Sequence, residues 1–353
     1  MKHILPKMLE LSPTKAVPES NAILTSPLGR VTRWPERHRL PALIGGLLLC
    51  IVSLIGEAAS VATSGPGVPY PASPPDAEET ARQVYYVNHL LALRNARIGD
   101  KKHPMVLIDW KGKGAPRVMT MVRHLNNDYQ DGEIRARDLA IFRSGKLKGT
   151  GILVTDYTDP DKRLSFSVWL PALRKIRRHA EPDQNDSWGG SLFTYGDIYL
   201  RRPNDERHEL LSQAPFNDCL QPLVLPEAKR NRYTRQLPEP RCDLKGTSML
   251  RLQSHTRFAH WWYDHRIVWV DPETFADYRS EYFKDGKKIK VIDKDWRSMG
   301  LDDPRAQYWL FWSGRHLLDG RQGMAFVPEG HVYWNEEVNP KTWTESTLRR
   351  IKR

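Results

Sequence analysis

The chain has 353 residues, of which 40% are hydrophobic and 10% aromatic, and this is enough for one large folded domain or two ordinary ones. Its formal net charge is +12, and such an excess occurs in proteins that bind nucleic acid or anionic membranes. The Lys and Arg residues are scattered along the sequence, however. We therefore interpret the charge as a contribution to solubility and expect no nucleic-acid partner.

An apolar run near the N-terminus predicts export from the cytoplasm. Residues 40–56 read LPALIGGLLLCIVSLIG, with arginines before them and small residues at 58–62. A basic region, an apolar core and a small-residue exit are typical of a secretory signal. We expect residues 1–62 to be a signal peptide with a long N-terminal region, cleaved after Ala62 or, alternatively, after Ala59. An uncleaved inner-membrane anchor is the other interpretation, although the run is slightly shorter than a span of about 20 residues.

Export would favour a disulfide between the remaining cysteines and would lower the net charge of the mature chain. Two of the three cysteines, Cys219 and Cys242, lie beyond the signal in Pro-rich, loop-like sequence. An even pair in an oxidising compartment predicts a disulfide, with two separate thiols as the alternative. Removal of the signal takes away seven basic and four acidic residues, a net +3, and leaves a charge of +9.

One helix is predicted ahead of the strands. Residues 63–76 are rich in Pro, Gly and Ser and read as a flexible lead-in. Residues 77–95 follow with Asp76 as a candidate N-cap and with apolar residues at helical spacing. This pattern indicates an amphipathic helix packed against a sheet, and Val84 to Leu93 would form a lid.

Short strands with apolar alternation follow in series. They are predicted at residues 104–110, 117–125, 139–142, 152–155, 164–170, 249–254, 258–263, 267–270, 276–283 and 288–292, with edges at 309–312 and 331–334. Such spacing predicts an antiparallel sheet or open barrel. We expect a single α+β domain over residues 77–353, with a helical or loop insertion between Leu192 and Pro240.

Three motifs carry a resemblance to a known family. They are residues 147–151 (LKGTG), 168–178 (VWLPALRKIRR) and 193–198 (FTYGDI). Together they resemble the periplasmic outer-membrane lipoprotein-sorting proteins of the LolA/LolB-like superfamily, in the branch associated with RND-type lipid exporters. Weaker matches at 269–271, 276–283, 285–287 and 339–350 extend the resemblance over most of the chain. Residues 200–245 depart from the family in length and charge, and residues 293–328 look inserted.

The resemblance implies an incomplete antiparallel β-barrel wrapped over helices, with an apolar cavity for an acyl chain. A carrier of this kind needs no catalytic group, because an acyl chain gains about 0.8 kcal/mol for each buried CH₂. The expected cavity lining is Met119, Met121, Leu164, Phe166, Val168, Leu170, Trp261, Tyr263 and Trp269. A filled core made of the same side chains is the alternative, and packing of these side chains without a void would remove the main support for the carrier hypothesis.

The implied partners are a lipid or lipoprotein acyl chain, an RND-type inner-membrane transporter and, transiently, a membrane surface. The carrier would be a periplasmic monomer that moves its cargo between the inner membrane or its transporter and the outer membrane. An exported subunit of a membrane export complex, with a collapsed cavity and no transport of its own, is the rival hypothesis.

Charged and histidine-rich segments give further expectations. The basic run Arg174, Lys175, Arg177 and Arg178 is expected to contact lipid head groups or an acidic partner, with a solvated turn as the alternative. The group formed by His255, His260, Asp264 and His265 fits no zinc signature, and no G-x-S-x-G elbow is present. We therefore expect no metal, no cofactor and no enzymatic activity.

Overall fold

The structure, a computed structural model, describes residues 67–159 and 161–351. All of them fall in one structural unit. The expected signal peptide, residues 1–62, lies outside the described residues. Within the described part of the chain, no helix has the length and apolar content that a membrane crossing requires.

The described residues form one large antiparallel sheet and few helices. The strands are β1 (Asn95–Ile98), β2 (Met105–Trp110), β3 (Arg117–Asn126), β4 (Ile134–Phe142), β5 (Gly151–Tyr157), β6 (Ser165–Leu170), β7 (Lys175–His179), β8 (Glu206–Pro215), β9 (Ser248–Thr256), β10 (His265–Val270), β11 (Asp277–Lys284), β12 (Lys287–Ser298), β13 (Gln307–His316), β14 (Gln322–Phe326) and β15 (Val332–Trp334). The α-helices are α1 (Ala77–Asn88) and α2 (Glu345–Arg349).

The strand order shows a curved sheet that does not close. Hydrogen bonds link the strands in the order β7-β6-β5-β4-β3-β2-β14-β13-β12-β11-β10-β9-β8, and β1 pairs with β3 and β15. The strands β7 and β8 end this path and do not pair with each other. The predicted incomplete antiparallel barrel is therefore confirmed.

Helix α1 begins where the sequence predicts and ends earlier. The Asp76 side chain accepts a hydrogen bond from the backbone N–H of Glu79 at 2.7 Å, which caps the helix. The helix ends at Asn88, and Leu90 adopts a φ of 54° that a continuing α-helix does not allow. The last residues of the predicted helix instead lead into β1, which pairs with β3.

Three predictions about the second half of the sheet were wrong. Residues 206–215 form β8 rather than a helix or loop, because pairing with β9 satisfies their backbone groups whatever their local propensity. Residues 293–328 are not an insertion, since they supply the end of β12 and all of β13 and β14. Residues 258–263 form the loop between β9 and β10 instead of a strand.

Two segments cover the outer face of the sheet. The C-terminal residues Trp343 and Leu348 are buried against side chains of β4, β5 and β6. Residues 216–245 cross the outer face near β11 to β14, where the N–H of Gln221 donates to Asp293 at 3.0 Å. A disulfide joins Cys219 and Cys242 within this segment.

Candidate functional site: the inner face of the sheet

The inner face of the sheet is covered by α1 and by residues 188–200, which we call the inner segment. The inner segment contains a 3₁₀ turn at Trp188–Gly190 and a π turn at Gly196–Leu200. Leu192 of this segment lies very close to β13 and β14. A Cβ atom added to Gly314 would lie only 2.8 Å from the Leu192 side chain, and one added to Gly323 would lie only 2.9 Å from it. Glycine at these two strand positions therefore lets Leu192 seat against the sheet.

The half of the inner face formed by β2 to β6 is largely apolar and also holds the ion pairs Asp109–Arg117 and Arg123–Asp138. Strand register places its members opposite one another, as in the pairs Leu107–Met119 and Ile152–Val168. The buried side chains of this apolar layer are Met105, Leu107, Met119, Met121, Ala140, Phe142, Ile152, Val154, Phe166 and Val168. The inner segment adds Trp188 and Phe193, which are buried in the same core.

The half formed by β8 to β12 is ionic instead. Asp197 of the inner segment accepts hydrogen bonds from Lys290 (2.7 Å), Arg201 (3.1 Å) and the hydroxyl of Tyr282 (2.9 Å). Burial disfavours the carboxylate, but the positive charges of Lys290 and Arg201 outweigh it, so the pKa of Asp197 lies well below its usual range. The inner segment is thus held to the sheet by a buried charged node.

Two further buried pairs extend this network. Glu206 receives Arg266 at 2.6 Å and the hydroxyl of Tyr263 at 2.8 Å. Burial raises the pKa of Glu206, but the charge of Arg266 outweighs burial and lowers it to about 2. Asp277 pairs with Lys294 at 2.6 Å and also accepts from Asn88 of α1. Sequence reasoning missed this network, since its members lie far apart along the chain.

Two small voids lie on the inner face within the described residues. One void of about 60 Å³ lies among Arg201, Glu206, Arg266 and Tyr282. Another, of about 30 Å³, is bounded by apolar side chains such as Ile152 and Ile198 and by the ion pair of Arg123 with Asp138. Ligand pockets commonly measure about 300–1,000 Å³. Neither void is the open apolar cavity that the sequence led us to expect, because the inner segment and the ionic network fill the space between them.

The predicted cavity residues lie mostly on the inner side. Those in the inner core or at its rim are Met119, Met121, Leu164, Phe166, Val168, Leu170 and Tyr263. Trp261 lies in the loop between β9 and β10. Trp269 is on the outer face, where its ring meets Phe216 with centroids 5.5 Å apart, so its assignment to the cavity is corrected. Successive side chains of a strand point to opposite faces, so Trp269 points outward while its neighbours Val268 and Val270 point inward.

The basic run is split between a turn and an edge strand. Arg174 lies in the β6–β7 turn with a φ of 51°. Lys175, Arg177 and Arg178 belong to β7, and all three are exposed. Arg178 pairs with Glu345 at 2.6 Å, which ties the edge strand to α2. Arg174, Lys175 and Arg177 therefore present their charge to solvent at the edge of the sheet.

The histidines of residues 255–265 lie in two different places. His255 and His265 lie side by side on β9 and β10 with ring centroids 5.3 Å apart, and His260 is in the exposed loop between them. A different group, Asp100, His103 and His331, has ligand atoms within 4.8 Å of one another. Its two rings are stacked at 3.7 Å, however, and an ion cannot lie in the planes of both rings in that arrangement.

A groove of about 960 Å³ lies on the outer side, near this histidine pair. Residues 232–241 form one wall, and side chains that include Val106, Arg297 and Phe326 form the other. The lining is mixed in charge and polarity, so it lacks the apolar character that an acyl chain requires. No local sequence pattern predicts this groove, because its walls come from segments that are far apart along the chain.

His89 at the end of α1 predicts a loss of stability in mild acid. Its ring lies between the carbonyl oxygens of Tyr85 (2.8 Å) and Tyr199 (3.1 Å), and burial lowers its pKa to about 4. Because the unfolded chain titrates near pH 6.5, it binds more protons between pH 4 and 6.5, and stability falls as the pH drops through this window. We expect His89 to contribute a loss of about 2 kcal/mol between pH 7.5 and 5.

Urea denaturation midpoints at these two pH values test this expectation. The variant His89→Gln should show a smaller change in midpoint than the wild type, because glutamine does not titrate. Equal pH dependence in both proteins would show that His89 does not titrate as its burial predicts.

Comparisons with known proteins identify the fold. A family model described only as "Uncharacterized protein" matches residues 135–296. No curated protein sequence matches the chain. Among solved structures, an outer membrane lipoprotein-sorting protein domain from Vibrio parahaemolyticus superposes with a TM-score of 0.55 at 15% identity, over 77% of this chain and 98% of that one.

Two other solved structures are similar. A DUF1329 family protein from Desulfovibrio piger has a TM-score of 0.55 at 14% identity and covers 77% of this chain and 99% of its own. A LolA superfamily protein from Nitrosomonas europaea has a TM-score of 0.46 at 11% identity, over 77% of this chain and 99% of that one. At 14–15% identity, the two superpositions with a TM-score of 0.55 establish the fold alone, which this chain shares with the Vibrio and Desulfovibrio proteins.

Proposed function

We propose, on the premise that this chain has the fold of outer membrane lipoprotein-sorting proteins of the LolA superfamily, that it is a periplasmic carrier of lipid or lipoprotein acyl chains. The observation that carries the proposal is the apolar layer on the inner face of β2 to β6. This layer is covered by the inner segment, which is not a strand of the sheet. An element packed on a sheet without joining its hydrogen-bond ladder can leave without breaking that ladder.

Loading would replace residues 188–196 of the inner segment by the acyl chain. Side chains such as Trp188 and Phe193 each give up about 2–3 kcal/mol of burial when they leave the apolar layer, and an acyl chain regains about 0.8 kcal/mol for each CH₂ that it buries. The two contributions are of the same order, so binding is reversible. Asp197 stays bound to Lys290, so residues 188–196 remain tethered and repack on the apolar layer after release.

Uptake of a radiolabelled C16 fatty acid, measured by equilibrium dialysis, tests the proposal. The wild type should bind it saturably. The variant Ile198→Trp should bind at least tenfold more weakly, because the larger ring fills the void of about 30 Å³ where Ile198 lies. The matched variant Ile267→Trp, on the outer side of β10, should bind as the wild type does. No uptake by the wild type, or equal uptake by all three proteins, would refute the proposal.

The proposal extends to compartment and partners. The support for a periplasmic location is the export signal predicted from the sequence, together with the shared fold. The support for an RND-type inner-membrane transporter as the source of the lipid is the sequence resemblance alone. The carrier acts as a monomer and uses no metal, cofactor or catalytic group.

The small voids favour a second candidate function. An exported subunit that binds a protein partner and carries no lipid needs no open cavity, and the inner face is filled. The outer groove of about 960 Å³ would then be the contact surface. A wild type that takes up no fatty acid, yet is retained in a membrane complex, would favour this candidate over the carrier.

A further inference from the structure

The antiparallel topology gathers scattered basic residues at one end of the sheet. Because neighbouring strands run in opposite directions, every second connecting loop lies at the same end. We call this end, formed by six loops, the basic end. The loops are residues 111–116, 143–150, 171–174, 257–264, 285–286 and 317–321.

The two ends of the sheet carry opposite charge. The six loops of the basic end contain eight Lys or Arg and three Asp, a net charge of +5. The four hairpin loops at the other end contain nine Asp or Glu and three Lys or Arg, a net charge of −6. Those loops are residues 127–133, 158–164, 271–276 and 299–306. A molecule polarised in this way turns its basic end toward a negative surface.

Large apolar side chains protrude among these basic loops. Leu318, Leu317 and Leu173 are 67%, 48% and 48% exposed, and Phe258 is 39% exposed. These are four of the eight exposed large hydrophobic residues of the described chain, so such residues are concentrated at this end. Basic side chains that surround apolar tips match an anionic bilayer, which offers negative head groups above an apolar interior.

We propose that the basic end docks on the surface of an anionic phospholipid bilayer. Lysines and arginines contact the head groups, and the leucine tips enter the boundary between head groups and acyl chains. An acidic protein surface would match the charge but not the protruding leucines. This inference gives the proposed carrier the surface at which it meets a membrane, and in that sense it rests on the proposed function.

Hydrogen–deuterium exchange of the full chain locates the contact. The chain is mixed with vesicles of phosphatidylglycerol and phosphatidylcholine, or with vesicles of phosphatidylcholine alone. We expect the anionic vesicles to slow exchange in residues 143–150, 171–174 and 317–321 and to leave residues 127–133 and 271–276 unchanged. Because the readout is local, an N-terminal segment that also enters the bilayer does not mimic it.

Charge reversal provides the matched comparison. The triple variant Lys111→Glu, Lys113→Glu, Lys146→Glu should lose this protection and bind anionic vesicles about 100-fold more weakly, since each basic side chain contributes about fivefold. The control is an equal charge change at exposed lysines elsewhere, and it should retain the protection. The control substitutions are Lys101→Glu, Lys229→Glu and Lys341→Glu.

The apolar tips are tested separately. The variant Leu318→Ser should bind the anionic vesicles several-fold more weakly, whereas Val224→Ser, at an equally exposed position on the outer covering segment, should bind normally. Protection of the acidic end, no protection at all, or equal losses in test and control variants would overturn the docking proposal. So would protection of the basic end by an acidic protein and not by vesicles. Fatty-acid uptake is measured without vesicles, so the docking surface and the carrier function can fail independently.

Discussion

Replacement of Asp197 by alanine is expected to lower the free energy of unfolding by about 3–5 kcal/mol. The carboxylate is buried and receives Lys290, Arg201 and the hydroxyl of Tyr282. Its removal leaves positive charges without their counter-ion in a desolvated site, which is the costly way to break a buried pair. Equilibrium denaturation in urea at pH 7.5 measures the effect.

A surface carboxylate provides the control for this experiment. Glu336 pairs with Arg97 at 3.3 Å, and both side chains are partly exposed. The variant Glu336→Gln should change the free energy of unfolding by less than about 1 kcal/mol. If Asp197→Ala costs no more than this control, the node at Asp197 does not hold the inner segment in the way that its contacts indicate.

A disulfide between the inner segment and the sheet is expected to abolish fatty-acid uptake. The double variant Leu192→Cys, Gly323→Cys places two cysteines where a Cβ on residue 323 would lie 2.9 Å from the Cβ of Leu192. Disulfides have Cβ–Cβ distances of about 3.5–4.5 Å, so a shift of about 1 Å accommodates the bond. The oxidised variant cannot release the inner segment from β14, and its uptake should fall at least tenfold.

Reduction of the same protein should restore uptake. All variants also carry Cys50→Ser, so that the third native cysteine cannot form a disulfide with the new pair. The Cys50→Ser protein without the new pair, treated with the same oxidant and reductant, controls for the native disulfide between Cys219 and Cys242. Equal uptake by the oxidised and reduced double variant would contradict loading under the inner segment.

The sequence predicts the fold correctly where apolar and polar residues alternate along a strand and turn-forming residues follow it. The run from Leu164 to Leu170 shows the period of a half-buried strand, and β6 occupies it. The segment that forms β8 does not show this period clearly. Its residues, ERHELLSQAP, suit a helix or a loop, and only the partner strand β9 determines their conformation.

The inner face was predicted only in its apolar part. Met119, Phe166 and Val168 alternate along their own strands, so a local pattern reveals the face that they share. The ionic half depends on contacts such as Asp197 with Lys290, which are 93 residues apart. No local pattern reports such a contact, and the interior was therefore expected to be more apolar and more open than it is.

The charge distribution shows the same difference between sequence and fold. Lys113, Lys146 and Arg174 are far apart along the chain, so the basic residues look scattered in the sequence. The antiparallel order brings their loops to one end of the sheet. Solubility alone is therefore an incomplete interpretation of the net charge. The order of the strands gathers the basic residues at one end of the sheet and so gives the molecule a positive and a negative end.

Native mass spectrometry after incubation with phospholipid vesicles tests the carrier account most directly. The chain is separated from the vesicles, and its mass is compared before and after extraction with organic solvent. The account predicts a one-to-one adduct with the mass of an acyl lipid, which disappears on extraction. The unmodified mass of the chain at every vesicle concentration would contradict the account.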